Sequence, residues 1–420
     1  MKKLIINGGR RLCGEVNLQG AKNSVLPILA AAAAADGISV IHNCPHLSDV
    51  DASIKILRHI GCRVDIENET VIVDSTDASG WEIPEALMRE MRSSIIFLGA
   101  LLSRFGRGIV AAPGGCEIGL RPIDYHLEAF AGMGVEINEN GGIIECICPK
   151  GICGRRLSLN FPSVGATENI ILASIKAKGE TVITNAAREP EIKDLADFLN
   201  KCGADIRGAG GSIITICGVE TIHSAEHSVI PDRIIASTYM AAAACTGGKI
   251  TINGAERKHL APIIPVFEES GCSVKSDENR IEIAAPEKLR RIRYIKTMPY
   301  PGFPTDSQSL ITVMASIGKG TSVISESIFE NRFRFVPELI RMGANIRVEN
   351  GCLAIAEGVE KLHGANVAAT DLRGGTALVV AGLCAEGETR IGKISCIYRG
   401  FYDIEKYFSS LGADIRSVNG

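Results

Sequence analysis

Aromatic residues are scarce in this chain of 420 residues: they make up 5% of it, with a single tryptophan. A core built without large rings must close around small and branched aliphatic side chains. Charge of one sign is scarce too. The net charge is −3 and no block of like charges exceeds a few residues. Nothing electrostatic points to nucleic acid or an anionic membrane as partner, although a few local cations suffice for a small anionic ligand. Long apolar runs are also missing. The longest, 25–35, is broken by Pro27 and falls far short of a membrane span. MKKLIINGG at the start offers only three apolar residues before Asn7, where a secretory leader needs a longer apolar core. A cytoplasmic protein is expected. The fourteen cysteines lack C-x-x-C pairs, and the closest group, Cys146, Cys148 and Cys153, has no histidine nearby. Zinc is therefore disfavoured, and reduced thiols are expected.

What the chain has in quantity is glycine, 45 residues of it, together with short alanine runs. The glycines keep a rhythm. An apolar helix end, a Gly, a small residue and an alternating strand recur as HIGCRVDI, GMGVEI, KCGADIRG, ESGCSVKS, RMGANIRV and SLGADIRS, at Gly61, Gly134, Gly203, Gly271, Gly343 and Gly412. The interval is roughly 70 residues, one sixth of the chain. A second set, Gly37, Gly108, Gly179, Gly248, Gly320 and Gly387, follows small-residue helices and precedes β-branched strands. Left-handed helix C-caps are expected at these. Six units of two helices and several strands result. Units of about 70 residues exceed the usual 20–45-residue solenoid repeat, so two domains of three units are the favoured division over an open solenoid.

Polar or charged residues stand before each small-residue helix: Lys22-Asn23, Arg92-Ser93, Ser163-Val164-Gly165, Asp232-Arg233, Thr305-Asp306 and Asp371-Leu372-Arg373. Capping accounts for Asp232, Thr305, Asp306 and Asp371. It does not account for Lys22, Arg92, Arg233 and Arg373, which oppose the helix dipole at a cost of up to about 1 kcal/mol each. A local rule broken four times points to function. Helix N-termini and cations gathered at one surface would bind phosphates and carboxylates.

One loop stands apart. In PGGCEIGLRP, at 113–122, Cys116 lies among three glycines and two prolines, which break helices and central strands alike. The thiol is on display rather than in a core.

The motifs G-A-K-N-S (20–24), PGGCEIGLRPIDYH, P-S-V-G-A-T-E-N, V-I-P-D-R-I, F-P-T-D, F-E-N-R-F, A-T-D-L-R and Y-R-G-F run in order along the whole chain. Together they resemble the UDP-N-acetylglucosamine enolpyruvyl transferase family. The resemblance implies an α/β fold: a two-domain inside-out α/β barrel of six βαβαββ repeats, three per domain. It places a catalytic-loop domain at 22–230, a second domain at 1–21 and 231–420, and the active site in the cleft between them. It implies transfer of the enolpyruvyl group of phosphoenolpyruvate to the 3′-hydroxyl of UDP-N-acetylglucosamine, with loss of phosphate, by addition and elimination. No cofactor or metal is expected. Cys116 would deliver the proton to the methylene carbon and form a covalent adduct, and Asp306 would be the base. Lys22, Arg121 and Arg399 would hold phosphate, and Arg332 and Arg373 carboxylate. Asp371 would orient the cysteine or a proton relay, and Asn23 would bond near the ketal centre. Arg92 and the run Arg121, Pro122, Ile123, Asp124 and Tyr125 would contact the nucleotide sugar. Ser163, Val164 and Gly165 would face the diphosphate, and Ile328 the sugar.

Several positions depart from the family pattern: Glu117, Leu120, Phe161, Ile235, Phe335 and Tyr398. Two other functions stay open beside the first. One is an enolpyruvyl transferase with another acceptor, such as shikimate 3-phosphate. The other is a non-catalytic paralogue that senses nucleotide sugar. The sequence leaves the oligomeric state open.

Overall fold

The computed structural model describes residues 2–113, 118–119 and 122–419. The expectations for Cys116, Glu117, Leu120 and Arg121 lie outside the described residues. The repeat is plain in 156–217. An edge strand, Arg156–Ser158, leads through helix Val164–Ser174 into strand Glu180–Thr184, parallel to the first with Arg156 opposite Val182. Helix Pro190–Lys201 then leads to Asp205–Arg207 and Ile213–Cys217, which add to the sheet antiparallel. This is βαβαββ, and among the described residues six four-stranded sheets follow it.

Three sheets are completed from far along the chain. Glu226–Ser228 pairs with Ile38–His42, and Cys13–Asn17 pairs with Lys249–Asn253. Lys2–Asn7 lies between Glu388–Gly392 and Asp414–Asn419. The chain divides into two compact units, residues 20–113 with 122–230, and residues 2–19 with 231–419, the pair 118–119 grouping with the latter. Each holds three repeats and its own core.

Within each unit three inner helices pack on one another: Lys22–Ala34, Phe97–Phe105 and Val164–Ser174 in one, Arg233–Cys245, Thr305–Ile317 and Leu372–Cys384 in the other. These helices carry no polar stripe because nearly every face is covered; only Asn23 among the residues of Lys22–Ala34 escapes full burial. Small side chains let three backbones approach, which is the use of the alanine runs. The outer helices are amphipathic. In Pro190–Lys201, Ile192, Leu195, Phe198 and Leu199 are buried while Lys193 and Asp197 pair on the solvent side at 2.6 Å. Among the described residues no helix is long and apolar enough to cross a membrane.

The first glycine set ends the outer helices in left-handed turns, with φ between 88° and 98° at all six. At Gly134 its N–H donates to Ala131 and the next N–H, of Val135, reaches back to Phe130, each at 3.0 Å. The other five repeat this double bond, which satisfies carbonyls the helix end would orphan. A Cβ on Gly134 would meet nothing within 4 Å, so Gly134→Ala isolates the backbone term. We expect a loss of about 1–2 kcal/mol in urea unfolding, with the fold retained; an unchanged midpoint would contradict the left-handed assignment.

The second set corrects the expectation. Gly37, Gly179, Gly320 and Gly387 are left-handed, but they stand just before the strands rather than at helix C-caps. The residue before each forms an isolated bridge: Asp36 to His223, Lys178 to Cys153, Lys319 to Arg290 and Glu386 to His363. The glycine turns the chain from that bridge into its strand. In the other two repeats the left-handed residue is Gly106 and Gly247, not Gly108 and Gly248.

Candidate functional site

In the unit of residues 231–419 the inner-helix starts converge. Asp306 lies in the first turn of Thr305–Ile317, where Pro304 holds the cap position without a side-chain bond. Asp306 is therefore no cap. Its Oδ1 accepts from Arg373 Nε at 2.8 Å and from an Arg332 terminal nitrogen at 3.0 Å. Burial pushes the carboxyl up, but the guanidiniums of Arg373, Arg332 and Arg233 outweigh it and hold it well below the ordinary carboxylate range. Arg332 is buried, spans to the Thr305 carbonyl at 3.2 Å and lies over the Phe329 ring at 5.6 Å. Arg233, also buried, lies over Tyr300. The Asp306 carboxylate thus lies within the influence of three guanidiniums.

Asp371 caps Leu372–Cys384: its Oδ1 accepts from the N–H groups of Arg373 and Gly374 at 3.0 and 3.1 Å, and its Oδ2 from Thr370 Oγ1. The cap fixes the turn that aims Arg373 at Asp306. Arg399 is half-buried at the end of the short 3-10 helix Ile394–Arg399, and Ile328 is half-buried just past strand Thr321–Ser325.

In the unit of residues 20–230 Lys22 opens its helix and is buried. Its Nζ meets Asp49 Oδ2 at 2.5 Å, from the first turn of Ser48–His59. Asn23 beside it is half-buried. Arg92 begins the 3-10 helix Arg92–Ile96 and donates to the Pro113 carbonyl at 2.8 Å, bracing the last described residue before 114–117. Pro122 and Asp124 are exposed, Ile123 and Tyr125 half-buried, with Asp124 opening helix Asp124–Gly132. Ser163 caps Val164–Ser174 by accepting from Ala166 N at 3.3 Å. The N–H groups of Val164 and Gly165 lie in the first turn, where no intrahelical acceptor exists, so they are available to an anion. Behind them Asn169 bonds the Ile95 carbonyl, Gly99 N and His126, tying the inner helices together.

Of the described departures, Phe335 and Ile235 are packing residues. Phe335 is buried, and its Cβ lies 2.9 Å from where a Cβ on Gly374 would be. Ile235 is core. The Tyr398 hydroxyl donates to Glu405 at 2.5 Å, with Lys2 over its ring. Phe161 is surface-exposed at 37%.

Asp49 and Glu326 were not singled out by the sequence. A buried acid reads like any surface acid until its partners are known. The one local signal for Asp49 is its place in a helix first turn, and for Glu326 its place directly after a β-branched strand.

A family model described as EPSP synthase (3-phosphoshikimate 1-carboxyvinyltransferase) matches residues 6–408. The chain is 52% identical over 417 residues to UDP-N-acetylglucosamine 1-carboxyvinyltransferase 2 of Caldanaerobacter subterraneus, covering 99% of both chains. It is 47% identical over 422 residues to UDP-N-acetylglucosamine 1-carboxyvinyltransferase 1 of Symbiobacterium thermophilum, covering 99% of this chain and 95% of that one. Its structure is similar to the enolpyruvyl transferase NikO of Streptomyces tendae, with a TM-score of 0.90 at 27% identity over 99% of this chain and 98% of that one. EPSP synthase from Acinetobacter baumannii shares the fold at a TM-score of 0.75 and 18% identity, with both chains fully covered. With a family match across nearly its whole length and two full-length relatives near half identity, the chain belongs to the enolpyruvyl transferase family and, within it, to the UDP-N-acetylglucosamine 1-carboxyvinyltransferases.

Proposed function

We propose that this protein transfers the enolpyruvyl group of phosphoenolpyruvate to the 3′-hydroxyl of UDP-N-acetylglucosamine, releasing phosphate, in the first committed step of peptidoglycan synthesis. It would work in the cytoplasm of a dividing, wall-building cell and be a target of fosfomycin. The geometric observation that carries this is the Asp306 carboxylate lying between Arg332 and Arg373, a base set beside cations that suit a substrate carboxylate.

In the addition, Asp306 takes the proton of the 3′-hydroxyl as its oxygen bonds to C2 of phosphoenolpyruvate. Cys116 gives a proton to C3, so the double-bond electrons end in a C–H bond and a tetrahedral ketal forms. In the elimination C3 returns a proton to the Cys116 thiolate, the double bond re-forms, the C–O bond to phosphate breaks, and the proton held by Asp306 leaves with the phosphate, so both residues regain their starting states. Arg332 and Arg373 hold the carboxylate, and Lys22, Arg121 and Arg399 the phosphate. Asn23 bonds near the ketal, and Asp371 keeps the Arg373 turn in place. Arg92, Arg121, Pro122, Ile123, Asp124 and Tyr125 contact the nucleotide sugar, with Ser163, Val164 and Gly165 at the diphosphate and Ile328 at the sugar.

The test is phosphate release from phosphoenolpyruvate with UDP-N-acetylglucosamine or with shikimate 3-phosphate as acceptor. Release only with the nucleotide sugar supports the assignment. Release only with shikimate 3-phosphate would move the protein to the other acceptor, and release with neither would favour a sensor.

A further inference from the structure

Glu326 follows directly on strand Thr321–Ser325 and is buried, 4% exposed. A carboxylate is costly in that position unless donors surround it. Here four do, from three separate segments. Oε1 accepts from Thr297 Oγ1 at 2.9 Å, from Ile328 N at 2.8 Å and from Phe329 N at 3.1 Å. Oε2 accepts from Thr305 Oγ1 at 2.9 Å. Ser327 closes the knot, its N–H donating to Thr297 Oγ1 and its hydroxyl to the Thr297 carbonyl.

The segments joined are those that carry the candidate chemistry. Thr305 is the residue before Asp306 and opens the same helix turn. Its carbonyl accepts from both Nε and a terminal nitrogen of Arg332. Ile328 and Phe329 lead into Arg332, with Phe329 under its guanidinium. The four bonds therefore fix the first turn of the Thr305–Ile317 helix against the 327–332 segment, and with it the spacing of Asp306 from Arg332.

We propose that Glu326 is a positioning residue for the transfer reaction, one that sets Asp306, Arg332 and the Ile328 backbone in a single geometry without touching substrate. The inference rests on the functional assignment made above and extends it to a residue outside the substrate contacts. Catalytic geometry is lost with displacements near 1 Å, so the Thr305 contact alone should matter.

Thr305→Val removes that contact at nearly constant volume. We expect kcat to fall by about tenfold or more, and Thr305→Ser, which keeps the hydroxyl, to stay within about twofold of the parent. Glu326→Gln should lower kcat to a similar extent, and the Glu326→Gln, Thr305→Val double variant should be little worse than either single one, since both cut the same link. If Glu326→Gln fails to fold, the two Thr305 variants carry the test. Parental kcat in Thr305→Val, or no recovery in Thr305→Ser, would overturn the inference. A second measurement needs no turnover: hydrogen exchange should quicken in both 305–310 and 327–332 in Thr305→Val. Exchange unchanged in both segments would overturn the inference even in a protein active toward neither acceptor. Absent turnover in the parent would count instead against the functional assignment.

Discussion

Asp306→Asn is expected to cut turnover by about 100- to 10,000-fold, the range that a positioned base contributes, while phosphoenolpyruvate binds about tenfold tighter than to the parent. The two effects run in opposite directions for one reason. In the resting protein Asp306 is the counterion of Arg332 and Arg373, the pair assigned to the substrate carboxylate. An incoming carboxylate must share or displace it. The asparagine variant offers the arginines without that competitor, and a gain of about 1.4 kcal/mol, a small part of one ion-pair energy at short range, is a factor of ten. The exchange also answers a difficulty in the base role. With both arginines on it Asp306 is a weak base, held well below its ordinary value. Once substrate takes the guanidiniums, the carboxylate loses its stabilising charges and its proton affinity rises toward what a base needs. Calorimetric titration with phosphoenolpyruvate, with and without UDP-N-acetylglucosamine, measures the tighter binding. Equal or weaker binding in the variant would show that carboxylate and substrate do not compete. Stability should move as well. Because the folded pKa is depressed, ionised Asp306 contributes stability above the ordinary carboxylate range that is lost as pH falls toward the lowered value. Asp306→Asn should therefore lower the melting temperature at pH 7 and lose less on acidification than the parent.

How much of this was open to inspection in the sequence depends on what kind of physics each feature obeys. The six outer-helix ends were visible because a left-handed turn all but requires glycine, so Gly61 through Gly412 mark it residue by residue. The inner helices were visible as alanine-rich runs without a polar stripe. The C-cap reading of the second glycine set failed because two glycines, Gly106 and Gly108, or Gly247 and Gly248, compete for one turn, and because the bridges at Asp36, Lys178, Lys319 and Glu386 are pairings with distant strands. Strand exchange was beyond local pattern for the same reason: nothing in CGEVN at 13–17 announces its place beside Lys249–Asn253. At the site, Arg332, Arg373 and Asp306 were chosen separately by motif, and the structure brings all three within hydrogen-bond reach. The pairing of Lys22 with Asp49 was not legible, since the cation looked like a helix start breaking the dipole rule. Its compensation lies in a neighbouring helix rather than in its own sequence. Glu326 was missed because its four donors come from segments up to 32 residues apart, from Thr297 to Phe329.

Cys116→Ala should abolish all but a trace of turnover, below about 1% of the parent, while UDP-N-acetylglucosamine binds within about twofold. The residue is assigned the proton delivered to carbon, a step no nearby solvent replaces efficiently, whereas the nucleotide sugar is assigned to other side chains. An epoxide phosphonate of the fosfomycin type should in turn alkylate Cys116 in preference to the other thirteen thiols. The thiolate is the nucleophile, and the structure removes most rivals on that ground. Burial pushes Cys44, Cys146 and Cys202 up to about 12 and Cys62 up to about 11. It raises Cys148 and Cys272 as well, and Cys245 is raised by its hydrogen bond with Cys384 together with burial. Among the described residues two thiols are exposed, Cys13 at the start of strand Cys13–Asn17 and Cys352 in the turn before Leu353–Glu357, while Cys153, Cys384 and Cys396 are half-buried. Cys352 meets Glu326 only through its backbone carbonyl, which accepts from the Glu326 N–H at 2.8 Å; serine keeps that bond, so Cys13→Ser with Cys352→Ser should leave turnover and labelling as in the parent. Peptide mass mapping after one equivalent of reagent decides the matter. Adducts spread over Cys13 or Cys352 would mean that exposure alone governs reactivity, and turnover above about a tenth of the parent in Cys116→Ala would remove the thiol from proton delivery.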